Sequence, residues 1–200
     1  MEQYLSSFIQ SLNIPETIAV FLSICYVILI ARENIMAWYC AFTSVSIYIF
    51  LCIRAHLYAE TLLQFFYLIM AIVGWYKWKY NKLKSNQSKK IIQIPLKLHL
   101  INIFVSSITT FIAGFFLSKY TNAAAPYIDA FTTVFSLYAT WMVAQKVLEN
   151  WLYWIVIDLV SFFLYSSREL YLTGLLYILF TILSIYGYIS WKKSYLQQHA

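Results

Sequence analysis

Hydrophobic residues in this chain fall into long runs that are separated by short polar breaks. A helix that crosses a bilayer needs about 20 mainly apolar residues, whereas the strands of a membrane barrel alternate apolar and polar positions. The runs are too long and too uniform for barrel strands, so an all-α membrane protein is predicted. Its seven spanning helices are expected at residues 14–31, 35–53, 57–78, 98–117, 124–145, 149–165 and 169–191.

The composition favours lipid over water as the main surroundings of this chain. Apolar residues make up 62% of its 200 residues and charged residues 11%, whereas an average soluble domain has about 45–50% and about 25%. A soluble fold of this length could not hide so many large apolar side chains. We therefore expect a single integral-membrane domain over residues 1–200.

Positive charge is concentrated between the third and fourth runs, where seven lysines lie from Lys77 to Lys97. Such a cluster is typical of a cytoplasmic loop rather than of a nucleic-acid-binding surface. With seven spans, this loop places the N-terminus outside and the C-terminus in the cytoplasm. Eleven basic residues then lie inside and three outside. We therefore expect a multi-pass protein of the bacterial inner (plasma) membrane, surrounded by lipid, with no nucleic-acid partner.

The chain contains an internal repeat. When Trp38 is superposed on Trp151, the second and third spans align with the sixth and seventh without a gap. At this displacement, which we call the repeat offset, Leu57-Tyr58 matches Leu170-Tyr171, Gly74 matches Gly187, and Trp78 matches Trp191. Two three-helix units, 14–79 and 124–193, are expected to enter the membrane from the same side, with 98–117 as a linker helix. In transporters built this way, the solute site lies between the repeats.

Three of the spans carry polar residues at helical spacing. These residues are Glu60, Gln64 and Tyr67 on the third span, Asp129, Thr133, Ser136 and Thr140 on the fifth, and Asn150, Trp151, Trp154 and Asp158 on the sixth. Polar groups in a bilayer cost free energy unless they face protein or a wet cavity, so these are candidate site residues. The alternative for Thr133 and its neighbours is hydrogen bonding within the bundle. The alternative for Glu60 is a surface charge at a helix N-terminus.

Indoles beside carboxyl groups favour a flat cationic ring, through contacts of about 0.5–2 kcal/mol each. Amide and hydroxyl groups would orient that ring. No His or Cys pair has metal-ligand spacing, so no metal is expected. Motifs for nucleotide binding and for common hydrolases are absent too, so no cofactor and no catalytic residue is assigned. Two alternatives stay open: a membrane enzyme that uses Glu60, Asp129 or Asp158 as acid or base, and a structural or signalling protein without a solute path.

Several strings in this sequence resemble the PnuC family of vitamin transporters. They are LYAETLLQFFYLIMAIVGWYKW (57–78), PYIDAFTT (126–133), KVLENWLYWIVID (146–158) and LYLTGLLYILFTILSIYGYISWKK (170–193). The most specific parts of the resemblance are the patterns LQxFYxxMxxxGWYxW and ENWxYWxxxD. Together these strings extend the resemblance over nearly the whole chain.

The resemblance implies a 3+1+3 helix arrangement related to that of the SWEET sugar transporters. It also implies facilitated diffusion of a non-phosphorylated vitamin, which a cytoplasmic kinase then traps. Nicotinamide riboside is expected first, thiamine (the PnuT branch) is the alternative, and other members carry riboflavin. The implied substrate contacts are Gln64, Tyr67, Asn150, Trp151, Trp154 and Asp158, with Glu60 or Asp129 available to thiamine. No cofactor is implied, and association into a homo-oligomer is left open.

Overall fold

The computed structural model describes residues 14–56, 58–85, 90–121 and 123–199. Over these ranges the chain forms seven helices: α1 (Ile14–Ala31), α2 (Ala37–Arg54), α3 (Tyr58–Ser85), α4 (Leu96–Tyr120), α5 (Pro126–Gln145), α6 (Asn150–Ser167) and α7 (Tyr171–His199). The prediction of seven helices is therefore confirmed. Leu57 and Lys89 lie outside the described residues, and Lys82 and Lys84 lie outside the described side chains. The predictions that involve these four residues are therefore not addressed by the structure.

Four of these helices, α1, α2, α4 and α7, are long and apolar enough to cross a bilayer by length and composition, within the described residues. The other three, α3, α5 and α6, have 28, 20 and 18 residues, so length does not set them apart. They are the helices that carry the polar stripes, which lower their hydropathy. The chain is thus a multi-pass membrane protein.

Six of the described helices form a closed ring. The neighbours in contact are α1 with α2, α2 with α3, α3 with α5, α5 with α6, α6 with α7, and α7 with α1. Within the described part of the chain, α4 lies outside this ring and packs along α5. The repeat offset relates α3 to α7 and α1 to α5, so the α3–α5 contact and the α7–α1 contact are equivalent. We call these two contacts, which join the halves of the ring, its seams.

Matched tryptophans pack in matched geometry. The rings of Trp38 and Trp78 lie 5.5 Å apart at 89°, and those of Trp151 and Trp191 lie 5.5 Å apart at 88°. In each half, the first indole covers a glycine of a neighbouring helix, where a Cβ atom would lie closer than 3.0 Å to the ring. The glycines concerned are Gly74 and Gly187. Glycine at these two positions therefore allows close contact between an indole and a helix backbone.

Turns between helices repeat as well. Glu33 and Lys146 have φ angles of 54° and 58°, and His56 and Glu169 have φ angles of 57° and 61°. The members of each pair are separated by the repeat offset. Since a positive φ is uncommon outside glycine, this recurrence indicates equivalent turn shapes in the two halves. It supports the repeat, whose division into 14–79, 98–117 and 124–193 stays a prediction.

The ring has two ends that differ in packing. At the loop end, where α2 and α6 begin, the four matched tryptophans belong to one buried cluster that also includes Ile91. At the opposite end, the mouth end, α3, α5 and α7 begin and α2 and α6 finish. The loop end is closed by large side chains, and a cavity lies toward the mouth end.

Candidate functional site

A cavity of about 150 Å³ lies between α3, α5, α6 and α7. It brings together seven of the residues that the polar stripes predict: Glu60, Tyr67, Asp129, Thr133, Ser136, Trp154 and Asp158. Glu60 is exposed and Asp129 is partly exposed, whereas Asp158 is buried. The cavity therefore runs from the mouth end toward the middle of the bundle.

The deepest part of this cavity combines an indole with a carboxyl group. Trp154 and Asp158 are four residues apart on α6 and share one face of that helix. The Ser184 hydroxyl of α7 donates a hydrogen bond to Oδ2 of Asp158 at 3.3 Å. This contact orients the carboxyl group, because a side chain on a second helix holds one of its oxygens.

Hydroxyl groups join α3 to α5 across the cavity. The hydroxyls of Tyr67 and Ser136 are 2.7 Å apart and form a hydrogen bond. Ser136 also bonds to the Thr133 carbonyl at 2.9 Å, and Thr140 bonds to the Ser136 carbonyl at 2.7 Å. The last two contacts lie within one helix and agree with the bundle-packing alternative for these hydroxyls. The Tyr67–Ser136 contact, in contrast, spans a seam of the ring.

An ion pair lies near the mouth of the cavity. Nη2 of Arg168, in the turn before α7, is 3.3 and 3.4 Å from the carboxylate oxygens of Asp129. Both side chains are about one-third exposed, so water screens the pair and its contribution to stability is small. Arg168 partly balances the charge of Asp129, while Glu60 adds a second acidic group at the same end.

The lining of the cavity is acidic overall. Its described residues include three carboxyl groups and no lysine, arginine or histidine. Arg168 approaches from outside the lining and is held by Asp129. A carboxyl group gains by ionising beside a cation, so this arrangement favours a positively charged solute over an anionic one.

Besides Thr140, three of the predicted site residues lie away from the cavity. Asn150 and Trp151 are buried at the loop end, where Nδ2 of Asn150 donates to the Val147 carbonyl at 2.6 Å and Trp151 packs on Gly187. Gln64 is partly buried on α3 but does not line the cavity. The roles of these three residues as substrate contacts stay predictions.

Other residues line the cavity but were not predicted from the sequence. Ser161 and Tyr165 follow Asp158 by three and seven residues, so they continue its helical face. Tyr177 of α7 completes the wall, and the repeat offset matches it with Gln64. The helical period was a signal that could have predicted Ser161 and Tyr165 as lining residues. The match between Gln64 and Tyr177 in the repeat could have predicted Tyr177.

Comparison with known proteins places the chain in a family. The family model described as nicotinamide mononucleotide transporter matches residues 13–193. The chain belongs to this transporter family. That membership confirms the predicted resemblance and the prediction that the chain is a transporter and not an enzyme.

Characterised relatives have low sequence identity to this chain but align with most of its length. The nicotinamide riboside transporter PnuC of Escherichia coli (strain K12) is 24% identical over 190 residues, covering 83% of this chain and 80% of that protein. The PnuC protein of Neisseria mucosa is 24% identical over 188 residues, covering 88% and 71%. The riboflavin/roseoflavin transporter RibM of Streptomyces davaonensis is 22% identical over 162 residues, covering 80% and 76%.

The fold is similar to that of a solved transporter. A crystal structure of the vitamin B3 transporter PnuC superposes with a TM-score of 0.76, at 23% identity, over 98% of this chain and 88% of the other. This likeness confirms the predicted all-helical transporter fold. A relation to the SWEET arrangement stays an implication of the resemblance.

Proposed function

We propose that this chain carries a non-phosphorylated, positively charged vitamin across the bacterial inner membrane, with nicotinamide riboside as the first candidate. The observation that carries the proposal is the pairing of Trp154 with Asp158 in a cavity that has no basic side chain among its described lining residues. An indole face attracts a pyridinium ring by about 0.5–2 kcal/mol, and a carboxyl group compensates its charge. The relatives named nicotinamide riboside transporters support the same substrate.

A phosphorylated form of the vitamin is a poor fit for this cavity. A phosphate group adds close to two negative charges at neutral pH and would lie near the carboxyl groups of Glu60, Asp129 and Asp158. The guanidinium of Arg168, which approaches the lining of the cavity, is already paired with Asp129. We therefore infer that the riboside, and not the mononucleotide in the name of the family model, is the transported form.

Thiamine is the second candidate, and the two acidic groups at the mouth end favour it. Thiamine also has a flat cationic ring, and its aminopyrimidine can donate hydrogen bonds to a carboxylate such as Glu60 or Asp129. Riboflavin, which is named for the RibM relative, has a neutral ring and would gain less from this acidic lining. Charge alone therefore ranks riboflavin below the two cationic vitamins.

Charge distribution supports an orientation for the proposed path. Lys77 and Lys79 lie in the part of α3 near the loop end, Lys90 lies between α3 and α4, and Lys97 lies in the first turn of α4. Such clusters stay on the cytoplasmic side. The mouth end then faces outward, with the N-terminus outside and the C-terminus inside. Facilitated diffusion followed by phosphorylation in the cytoplasm would give net uptake. Association into a homo-oligomer stays a prediction, for which α4 offers exposed apolar residues.

Calorimetric titration of the purified protein tests this function. Nicotinamide riboside, thiamine, riboflavin and nicotinamide mononucleotide are compared at one pH and salt concentration. The riboside should bind at least about tenfold more tightly than the mononucleotide, a difference of about 1.4 kcal/mol. Tighter binding of the mononucleotide or of riboflavin would contradict the charge argument, and lack of binding by all four would contradict the proposed function.

A further inference from the structure

The segment that follows the lysine-rich stretch crosses the loop end of the ring. We call residues 90–95, between α3 and α4, the strap. The Ile92 amide donates to the Lys146 carbonyl at 3.0 Å, and the Leu148 amide donates to the Ile92 carbonyl at 2.9 Å. These bonds form an isolated parallel bridge between Ile92 and Val147. The strap is thus fastened to the α5–α6 turn by backbone hydrogen bonds at one residue.

One side chain of the strap is inserted into the bundle. Ile91 is 0% exposed and belongs to the buried cluster that includes Trp78 and Trp191, whereas the neighbouring Ile92 is 42% exposed. The Ile91 amide donates to Oε1 of Gln198 near the end of α7, at 2.9 Å. The strap therefore connects the α5–α6 turn to the end of α7.

Beneath the strap, the packing contains polar atoms that lack hydrogen-bond partners. They are Nε1 of Trp38, Trp78 and Trp151, and Oδ1 of Asn150, all buried and without a hydrogen bond among the described residues. Buried polar groups in a permanent core are nearly always paired. Four such atoms lie near this end, and unpaired polar atoms suit packing that rearranges better than a permanent core.

We propose that the strap is a reversible latch, which closes the loop end over the tryptophan cluster and lifts when that end opens. Its attachment suits such movement, because it consists of one inserted isoleucine and a few hydrogen bonds rather than an extended packed surface. When the latch lifts, the indole N–H groups and the amide of Asn150 become accessible to water or to a solute leaving the cavity. The closure goes beyond the proposed function and is testable without any solute.

Cysteine labelling tests the latch. The native Cys25, Cys40 and Cys52 are replaced by alanine, and Ala144→Cys is introduced as a reporter, since Ala144 is 0% exposed at the loop end. The purified protein is treated with a membrane-impermeant maleimide. Loss of the buried side chain in Ile91→Ala should raise the labelling rate about tenfold or more. The matched variant Ile92→Ala, in the same strap, should leave the rate unchanged.

A second pair of variants leaves the strap sequence intact. Gln198→Ala removes the acceptor of the Ile91 amide and should raise the labelling rate by a smaller factor than Ile91→Ala. Gln197→Ala changes an exposed neighbour and should have no effect. This pair keeps the inference testable if Ile91→Ala does not fold.

Opening of the loop end must be separated from general unfolding. A second reporter, Ala19→Cys, is placed toward the far end of α1, where Ala19 is also 0% exposed. It should stay slowly labelled in every strap variant. Equal labelling of Ile91→Ala and Ile92→Ala, or parallel acceleration of both reporters, would overturn the latch. Failure of vitamin binding would overturn the proposed function but would not alter these rates.

Discussion

Nζ of Lys146 lies 2.6 Å from Oε2 of Glu33, although the two residues are a full repeat offset apart in the chain. Each occupies the same place in its own turn, between α1 and α2 or between α5 and α6. Lys146 is 1% exposed, and its ammonium group lies 4.5 Å from the centre of the Trp78 ring. Burial lowers the pKa of Lys146, and the hydrogen bond and charge of Glu33 oppose that shift. The ion pair thus joins equivalent turns of the two halves.

Removal of one partner from this pair should destabilise the fold. Glu33→Gln leaves the Lys146 ammonium buried without a counter-charge, and such changes cost about 3–5 kcal/mol. Thermal unfolding of the purified protein in detergent is the measurement. Glu169→Gln is the matched control, because Glu169 has the same positive φ but is exposed. It should change stability by less than about 0.5 kcal/mol.

A second change separates the charge from the contact. Combining Glu33→Gln with Lys146→Met removes both charges while keeping a long apolar side chain beside Trp78. The double variant should recover much of the lost stability, since replacing a whole buried pair is often neutral. If it is as unstable as Glu33→Gln alone, the loss does not come from an unpaired ammonium group.

The contact between Trp151 and Gly187 should tolerate no added methyl group. In Gly187→Ala, the new Cβ would lie closer than 3.0 Å to the indole, and overpacking of this kind costs about 1–3 kcal/mol. Unfolding in detergent measures the change. A smaller ring in Trp151→Phe should reduce the penalty of Gly187→Ala in a double-mutant cycle, whereas strictly additive effects would show that the two side chains do not interact.

Loss of the cavity indole should weaken solute binding. Trp154→Ala is expected to reduce affinity for nicotinamide riboside about tenfold or more, since it removes the aromatic face that attracts the cationic ring. Calorimetric titration gives the affinity, and size-exclusion chromatography checks folding. Trp141→Ala is the control, because Trp141 is exposed on α5 and does not line the cavity. Unchanged affinity in Trp154→Ala would remove this residue from the site.

Transport should not depend on a proton gradient. Proteoliposomes loaded with buffer should equilibrate labelled nicotinamide riboside to the same level with and without an uncoupler, because facilitated diffusion follows the solute gradient alone. Liposomes without protein provide the background rate. Accumulation above the outside concentration that collapses on adding the uncoupler would show proton coupling, with Glu60 and Asp158 as the residues to test next.

The helices were predictable because a bilayer imposes a minimum length on every apolar run. The predicted ends differ most at α3 and α7, which continue to Ser85 and His199. There the chain becomes polar but keeps residues that favour helix, such as lysine and glutamine. Hydropathy detects the apolar part of such a helix and not its continuation into water.

The candidate site was predictable only in part, because a helical stripe fixes neither the rotation of a helix nor the depth of each residue. On α3, Leu63 rather than Gln64 lines the cavity, which reflects rotation about the helix axis. On α6, Trp151 shares a face with Asp158 but lies about 10 Å nearer the loop end, at about 1.5 Å per residue. Packing against neighbouring helices decides both quantities, and it involves residues far apart in sequence.

The two seams of the ring are held by different kinds of contact. At α7–α1, Nε1 of Trp191 donates to the backbone carbonyl of Ile30 at 2.9 Å, away from the cavity. At α3–α5, the bond between Tyr67 and Ser136 lies inside the cavity, where the hydroxyl groups of the proposed riboside would compete for the same partners. Occupancy of the cavity would therefore weaken one of these two contacts directly and not the other. The proposed cargo would thus act on the contact between α3 and α5 and not on the contact between α7 and α1.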